Sequence, residues 1–149
     1  MQPGEFVQVL VVPLAAFTRK LRAYKISKRF DCDISALCGG FSIAFIGDTV
    51  RSVRLAYGGM AATVRRAARA EAALTGQPWT QQSVDAAKAA LAHDFTPLSD
   101  MRASAEYRLQ VAQNLLQRFW LETRSTDPLP TEATSVWSVM PHELGLQGA

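Results

Sequence analysis

Ile34-Ser35-Ala36-Leu37-Cys38-Gly39-Gly40-Phe41-Ser42-Ile43-Ala44-Phe45-Ile46, then Gly47-Asp48-Thr49, then Val50-Arg51-Ser52-Val53-Arg54-Leu55-Ala56-Tyr57 is the stretch that decides the fold. Successive side chains of a strand point to opposite faces. Leu37, Phe41, Ile43 and Phe45 mostly share one face of the first run, and Val53, Leu55 and Tyr57 share one face of the second. Gly-Asp-Thr between two such runs is a turn signal, so the reading is an antiparallel hairpin with one apolar face. Gly39-Gly40 interrupts the first run and predicts a bulge or a close approach of backbone.

An apolar sheet face has to be covered, and the chain on either side of the hairpin supplies the means. On the N-terminal side, residues 6–14 are apolar and β-branched apart from Gln8 and predict a further strand, with Pro13 at its exit. The basic segment after it is expected to be a loop. On the C-terminal side the period changes to that of helices. Residues 61–75 carry Val64, Ala67, Ala68, Glu71 and Leu74 at helical spacing and stop at Gly76-Gln77-Pro78. Thr80 is placed to cap a second helix with Val84, Ala87 and Leu91 on its buried stripe. A third helix over residues 104–123 aligns Leu109, Ala112, Leu116 and Phe119, flanked by Val111 and Leu115, and Asp100 or Ser99 is placed to cap it. The expected fold is α+β: a two-layer sandwich of a three-stranded, or four-stranded, antiparallel sheet with three helices on one face. Residues 1–123 make the domain. Residues 124–149, with Pro128, Pro130 and Pro141, are expected to be a flexible tail.

The apolar fraction of 48% and charged fraction of 19% are those of an ordinary globular protein. No apolar run approaches the roughly 20 residues that a membrane span requires, and the N-terminus has no signal-peptide pattern, so the expected compartment is the cytoplasm. Cys32 and Cys38 are too few for an iron–sulfur cluster or a structural zinc site, and His93 and His142 have no metal-ligand neighbours. Neither a nucleophile elbow nor a Ser–His–Asp or Cys–His arrangement is present, so no catalytic residue is assigned. The net charge is +3, but Arg19, Lys20, Arg22, Lys25, Lys28 and Arg29 crowd together with no acid among them. Such a cluster meets phosphate, nucleic acid or an acidic partner, or is simply solvated. Without a recognition motif or interleaved aromatic residues, nucleic acid is the weakest of these.

Three phrases carry the remaining signal: Tyr24-Lys25-Ile26-Ser27-Lys28-Arg29-Phe30-Asp31-Cys32-Asp33-Ile34, then Tyr57-Gly58-Gly59-Met60-Ala61, then residues 94–108, which include Asp100-Met101-Arg102 and Tyr107-Arg108. By themselves, the first offers cations beside a strand, the second a tight strand-to-helix turn, and the third a helix start in which Asp100 pairs with Arg102 or with nearby backbone. Their order and spacing resemble the C-terminal half of the flavin domain of xanthine dehydrogenases and related molybdenum hydroxylases, of the CO dehydrogenase flavoprotein C-terminal type, over roughly residues 3–122.

That resemblance implies an oxidoreductase in which FAD takes electrons from iron–sulfur clusters and passes them to NAD while a molybdenum centre oxidises xanthine to urate. It implies flavin contacts at Lys25 and Val12, with Arg29 and Asp33 in the loop bordering the ring. It assigns the pyrophosphate to an N-terminal flavin half, and the clusters and molybdenum cofactor to partner domains of the same enzyme. The chain is then expected to begin inside the flavin domain and to be inactive alone. The rival expectation is a stand-alone interaction module that keeps the fold without the redox role.

Overall fold

The computed structural model describes residues 2–12, 14, 18–29 and 34–134. Four antiparallel strands form one sheet in the order β1 (Lys20–Ile26), β2 (Leu37–Ile46), β3 (Thr49–Gly58), β4 (Arg65–Arg66). The helices α1 (Ala68–Leu74), α2 (Gln81–Leu91) and α3 (Ala105–Thr123) follow. The fold is α+β and the sheet is open. Among the described residues no helix is long and apolar enough to cross a membrane.

The β2–β3 hairpin forms as the alternation predicts, with Phe41 opposite Leu55 and Ile43 opposite Val53, and the register shifts between Ala44 and Phe45. The irregularity therefore falls beyond Gly39-Gly40. The two glycines serve different ends. A Cβ on Gly39 would lie 2.8 Å from Cζ of Phe41, so its absence makes room for that ring, whereas a Cβ on Gly40 would meet nothing within 4 Å.

The N-terminal expectation needs correction. Residues 5–12 form no strand, and Phe6, Val7, Val9, Leu10, Val11 and Val12 are all exposed. The outer strand comes instead from the basic segment expected to be a loop, and Lys20–Ile26 pairs along its full length with β2. Charge did not exclude it from the sheet because two of its cations find partners on α3 and the third, Lys25, is exposed. Lys20 Nζ donates to the Thr123 carbonyl at 2.7 Å, and Arg22 Nε to Glu122 at 2.9 Å. The first helix also differs: it starts at Ala68, because residues 65–66 pair with β3 first, and Val64 is exposed.

Between sheet and helices lies one core in which Phe41 makes edge contacts with Tyr24, Tyr57 and Phe119 at centroid distances of 5.5, 5.0 and 5.5 Å. The Thr80 cap is realised as a capping box with Ser83. Ser104, rather than Asp100 or Ser99, is the N-cap of α3, its hydroxyl accepting from Tyr107 N–H at 3.2 Å. Ser99 accepts from Ala105 N–H one turn earlier, at 2.9 Å.

Glu122 joins the layers, accepting from Arg22, Tyr24 (2.9 Å) and Arg118 (2.6 Å). Burial pushes its carboxyl up, but the hydrogen bonds from Arg118 and Tyr24, the Arg118 charge and the bond from Arg22 outweigh it, leaving the net value below the ordinary one. A depressed folded-state value stabilises the fold above the unfolded value of about 4.3 and loses that stabilisation as pH falls through the folded value. The urea midpoint should therefore drop between about pH 5 and pH 3, and Glu122→Gln should flatten that drop. An unchanged pH profile in Glu122→Gln would remove this role.

Candidate functional site

Two of the phrases that stand apart in the sequence, and the entry to β2 just past the first of them, meet at one side chain. Arg108 falls on the apolar stripe of α3 with Ala112, Leu115, Leu116 and Phe119 and is 3% exposed. A guanidinium placed there needs acceptors, because burying an unpaired charge is costly. Nη1 donates to the carbonyl of Ala36, at the entry to β2, and to that of Gly59, just past β3, at 2.8 Å. Nη2 donates to Oδ1 of Asp100 at 2.7 Å. Nε is buried without a hydrogen-bond partner.

Asp100 binds the backbone as expected, but its ion pair is with Arg108, not Arg102. Its Oδ1 also accepts from the N–H groups of Arg102 (2.8 Å) and Ala103 (3.2 Å). The Arg102 N–H is the chief reason that the Asp100 carboxyl lies below its ordinary value, with the Ala103 N–H and Arg108 adding to it against a smaller opposing effect of burial. Held ionised, it is a structural acceptor and not a proton donor. Gly59 has φ of 82°, and a Cβ there would lie 2.6 Å from the Ala36 carbonyl and 3.0 Å from Arg108 Nη1. Both conformation and space thus require glycine, which agrees with the tight, closely packed turn read from the phrase.

Next to this junction is a cleft of about 420 Å³ between the end of β1 and the loop before α3, walled by Ile26, Ala36, Met101, Tyr107 and polar neighbours. Lys28 Nζ spans it to the Met101 carbonyl at 2.6 Å. Arg29 lines the adjoining depression with Lys28, Arg102, Ile34 and Met101. Cationic groups from two loops therefore border an apolar floor, a setting that suits an anionic or polarised planar group.

Lys25 lies on the other side of β1, on the sheet face that no helix covers. Directly across from it come Cys38 and Gly58. The next transverse row on that face is Ala23–Gly40–Ala56, ending at Arg66. These are the smallest side chains available, and they leave a flat ledge with the Lys25 ammonium at one side. No described residue accepts a hydrogen bond from that ammonium.

Of the four residues assigned to the flavin, Lys25 and Arg29 come from one short stretch and reach different surfaces, the open sheet face and the depression beside the cleft. Val12 is exposed on the N-terminal segment, 62% accessible and outside the sheet. Asp33 lies outside the described residues. Sequence reasoning missed the tie made by Arg108 and the bridge made by Lys28. The first had a signal: Arg108 precedes Ala112 by four residues and so extends the apolar stripe of α3 with a charge. The second had none, since Lys28 and Met101 are 73 residues apart.

The family model described as the CO dehydrogenase flavoprotein C-terminal domain matches residues 22–123. The chain belongs to that family. The matched span begins in β1 and ends with α3, so this flavoprotein C-terminal domain includes the sheet, the three helices and the Arg108 junction. The domain is 33% identical over 137 residues to the xanthine dehydrogenase of Emericella nidulans, covering 85% of this chain and 10% of that protein. It is 32% identical over 124 residues to the nicotinate hydroxylase of the same organism, covering 78% of this chain and 9% of that protein. The chain thus spans about a tenth of the length of the curated relatives it matches. Among solved structures, the CO dehydrogenase of Hydrogenophaga pseudoflava superposes with a TM-score of 0.64 at 29% identity, over 69% of this chain and 36% of that one. Quinoline 2-oxidoreductase from Pseudomonas putida 86 has the same fold, with a TM-score of 0.63 at 20% identity over 74% of this chain and 39% of that one.

Proposed function

We propose that this flavoprotein C-terminal domain forms one wall of the FAD site in a xanthine dehydrogenase-type molybdenum hydroxylase, and that it is inactive alone. In this reading an N-terminal FAD-binding half grips the pyrophosphate, partner domains carry the iron–sulfur clusters and the molybdenum cofactor, and the assembly is cytoplasmic. The substrate is xanthine, oxidised to urate, and NAD is the acceptor. When bound, FAD supplies the electron transfer between clusters and NAD.

The observation that carries the reading is the bare ledge beside Lys25. A planar ring needs a surface without projecting side chains, and Ala23, Gly40 and Ala56 provide one, with a Cβ at Gly40 meeting nothing. The residues present therefore fit contact with one part of the cofactor. Lys25 would place its ammonium at a ring oxygen or nitrogen and Val12 would pack as an aliphatic contact, while Arg29 with Asp33 would border the ring from the loop beyond β1, off the ledge itself. One ammonium and one aliphatic contact do not offset the cost of immobilising a dinucleotide, which is why the domain alone is not expected to retain FAD.

The native protein purified from its host should come as a larger assembly with flavin and iron–sulfur absorption. Within that assembly, Lys25→Ala should weaken flavin retention by about 10- to 100-fold, the loss of one charge-assisted hydrogen bond. Unchanged flavin content together with unchanged NAD reduction would sink the assignment of Lys25. A colourless, small, folded protein would sink the wider reading.

A further inference from the structure

Past the ledge, the open face of the sheet turns cationic. The row after Ala23–Gly40–Ala56 is Leu21–Ser42–Arg54, and beyond it Ser52 stands opposite Ala44. Arg19, just before β1, lies across this corner. Its guanidinium is fixed by three hydrogen bonds: Nε donates to the Ser42 hydroxyl, Nη1 to the Ser52 hydroxyl at 2.9 Å, and Nη2 to the Ser52 carbonyl at 3.2 Å. Arg51 is the residue left over where the register of β2 and β3 shifts. The ion pairs among the described residues use Arg22, Arg66, Lys88, Arg108, Arg118 and Arg124, so no described carboxylate pairs with Arg19, Arg51 or Arg54. Partial burial, then the charges of Arg54 and Arg51, hold the Arg19 guanidinium below its ordinary value. Cations that repel one another, one of them immobilised, are stabilised by a shared anion.

We propose that Arg19 and Arg54, with the Ser42 and Ser52 hydroxyls and the nearby charge of Arg51, form a phosphate-binding site at this corner of the sheet. The hydrogen-bond inventory selects the ligand. Both hydroxyls accept from Arg19, which leaves their own O–H groups to donate, and a guanidinium has no acceptor to offer. A ligand there meets donors alone, so it is an anion rich in acceptor oxygens. A tetrahedral oxyanion turns three oxygens towards donors on β2, β3 and Arg19, where a carboxylate has two. Single-stranded nucleic acid fits less well, because these rows carry no aromatic side chain on which a base could stack. The site is distinct from the flavin ledge: Arg19 precedes Lys25 by six residues, about 20 Å along an extended strand. The inference therefore stands apart from the function proposed above.

The test is a titration of the isotope-labelled full chain with sodium phosphate at constant ionic strength, read from the Nε–H resonances of Arg19 and Arg54 and the amides of Ser42 and Ser52. Saturation with a Kd of about 1 mM or tighter is expected. Arg54→Gln, an exposed change that should leave the melting temperature within about 2 °C, should weaken phosphate at least about 10-fold, and so should Arg19→Gln. Lys88→Gln removes a cation from the helical layer and should leave the affinity as it is. Methyl phosphate separates the two sources of such a group: binding as tight as that of phosphate assigns the site to a phosphate ester, and weaker binding assigns it to the free ion. Sodium acetate giving the same shifts at the same concentrations would overturn the inference. So would a failure to saturate by about 20 mM phosphate, or wild-type affinity in Arg54→Gln.

Discussion

Arg108→Met should lower the melting temperature of the isolated domain by about 10 °C or more, from a loss of about 3 kcal/mol. The substitution keeps an unbranched stem about as long as arginine's up to Nε, so it tests chiefly the loss of the guanidinium. Two backbone carbonyls, those of Ala36 and Gly59, lose their donor, and the Asp100 carboxylate loses its cation. Each buried group left unsatisfied costs about 1–3 kcal/mol. Gly59 and the Asp100 carboxylate are partly open to water and removing the orphaned Nε returns part of the cost, which keeps the expected sum at the low end of the roughly 3–9 kcal/mol that three such groups would give. Arg108→Lys should fall between wild type and methionine, because one ammonium cannot reach two carbonyls and a carboxylate with the planar fork of an arginine. A melting temperature of Arg108→Met within about 2 °C of wild type would show that the three segments hold together without this residue.

Phe41→Ala should cost about 3–5 kcal/mol, read as a fall in the urea midpoint at constant slope. The ring is fully enclosed, touches Tyr24, Tyr57 and Phe119 edge-on, and lies over the backbone of Gly39 in the space that a Cβ would need. Three partners at 5.0–5.5 Å come from β1, β3 and α3, so no single element can move in to refill the cavity without pulling on the other two. A domain of this size has about 5–15 kcal/mol in all, so the variant approaches the limit of folding. Phe41→Leu keeps most of the volume and should cost less than about 1.5 kcal/mol. Equal midpoints for alanine and wild type would place the centre of the core elsewhere.

The parts of the fold legible in the sequence were those where a single physical rule operates. The hairpin followed from alternation through Phe41 and Leu55, α2 from the Thr80 cap and the Val84–Ala87–Leu91 stripe, and the family from three phrases taken together. The misreading of the N-terminal third came from two rules in competition. Residues 6–12 have the stronger strand composition, and Lys20–Ile26 the weaker, yet the latter enters the sheet because Glu122 and the Thr123 carbonyl wait on α3 for its cations. Those acceptors lie about a hundred residues away, where no local pattern can report them. The cap of α3 was missed by a few residues for a related reason: Asp100, a good cap by type, is already occupied by Arg108 and the turn before the helix. At the candidate site the residue types were readable, but their convergence on Arg108 was not, since it depends on three loops folding back to one point.

Gly40 has no positive φ, no neighbour within 4 Å of a would-be Cβ, and an exposed place in the middle of the longest strand pairing. Glycine at such a position weakens a strand, and valine or threonine would strengthen it. A laboratory selection for thermal stability of the isolated domain would therefore reward filling this position, and the variant it enriched would be a better-folded protein with a ridge across its ledge. On the function proposed above, stability and usefulness are set against each other at that one carbon, so stabilising this domain safely means leaving position 40 out of the library.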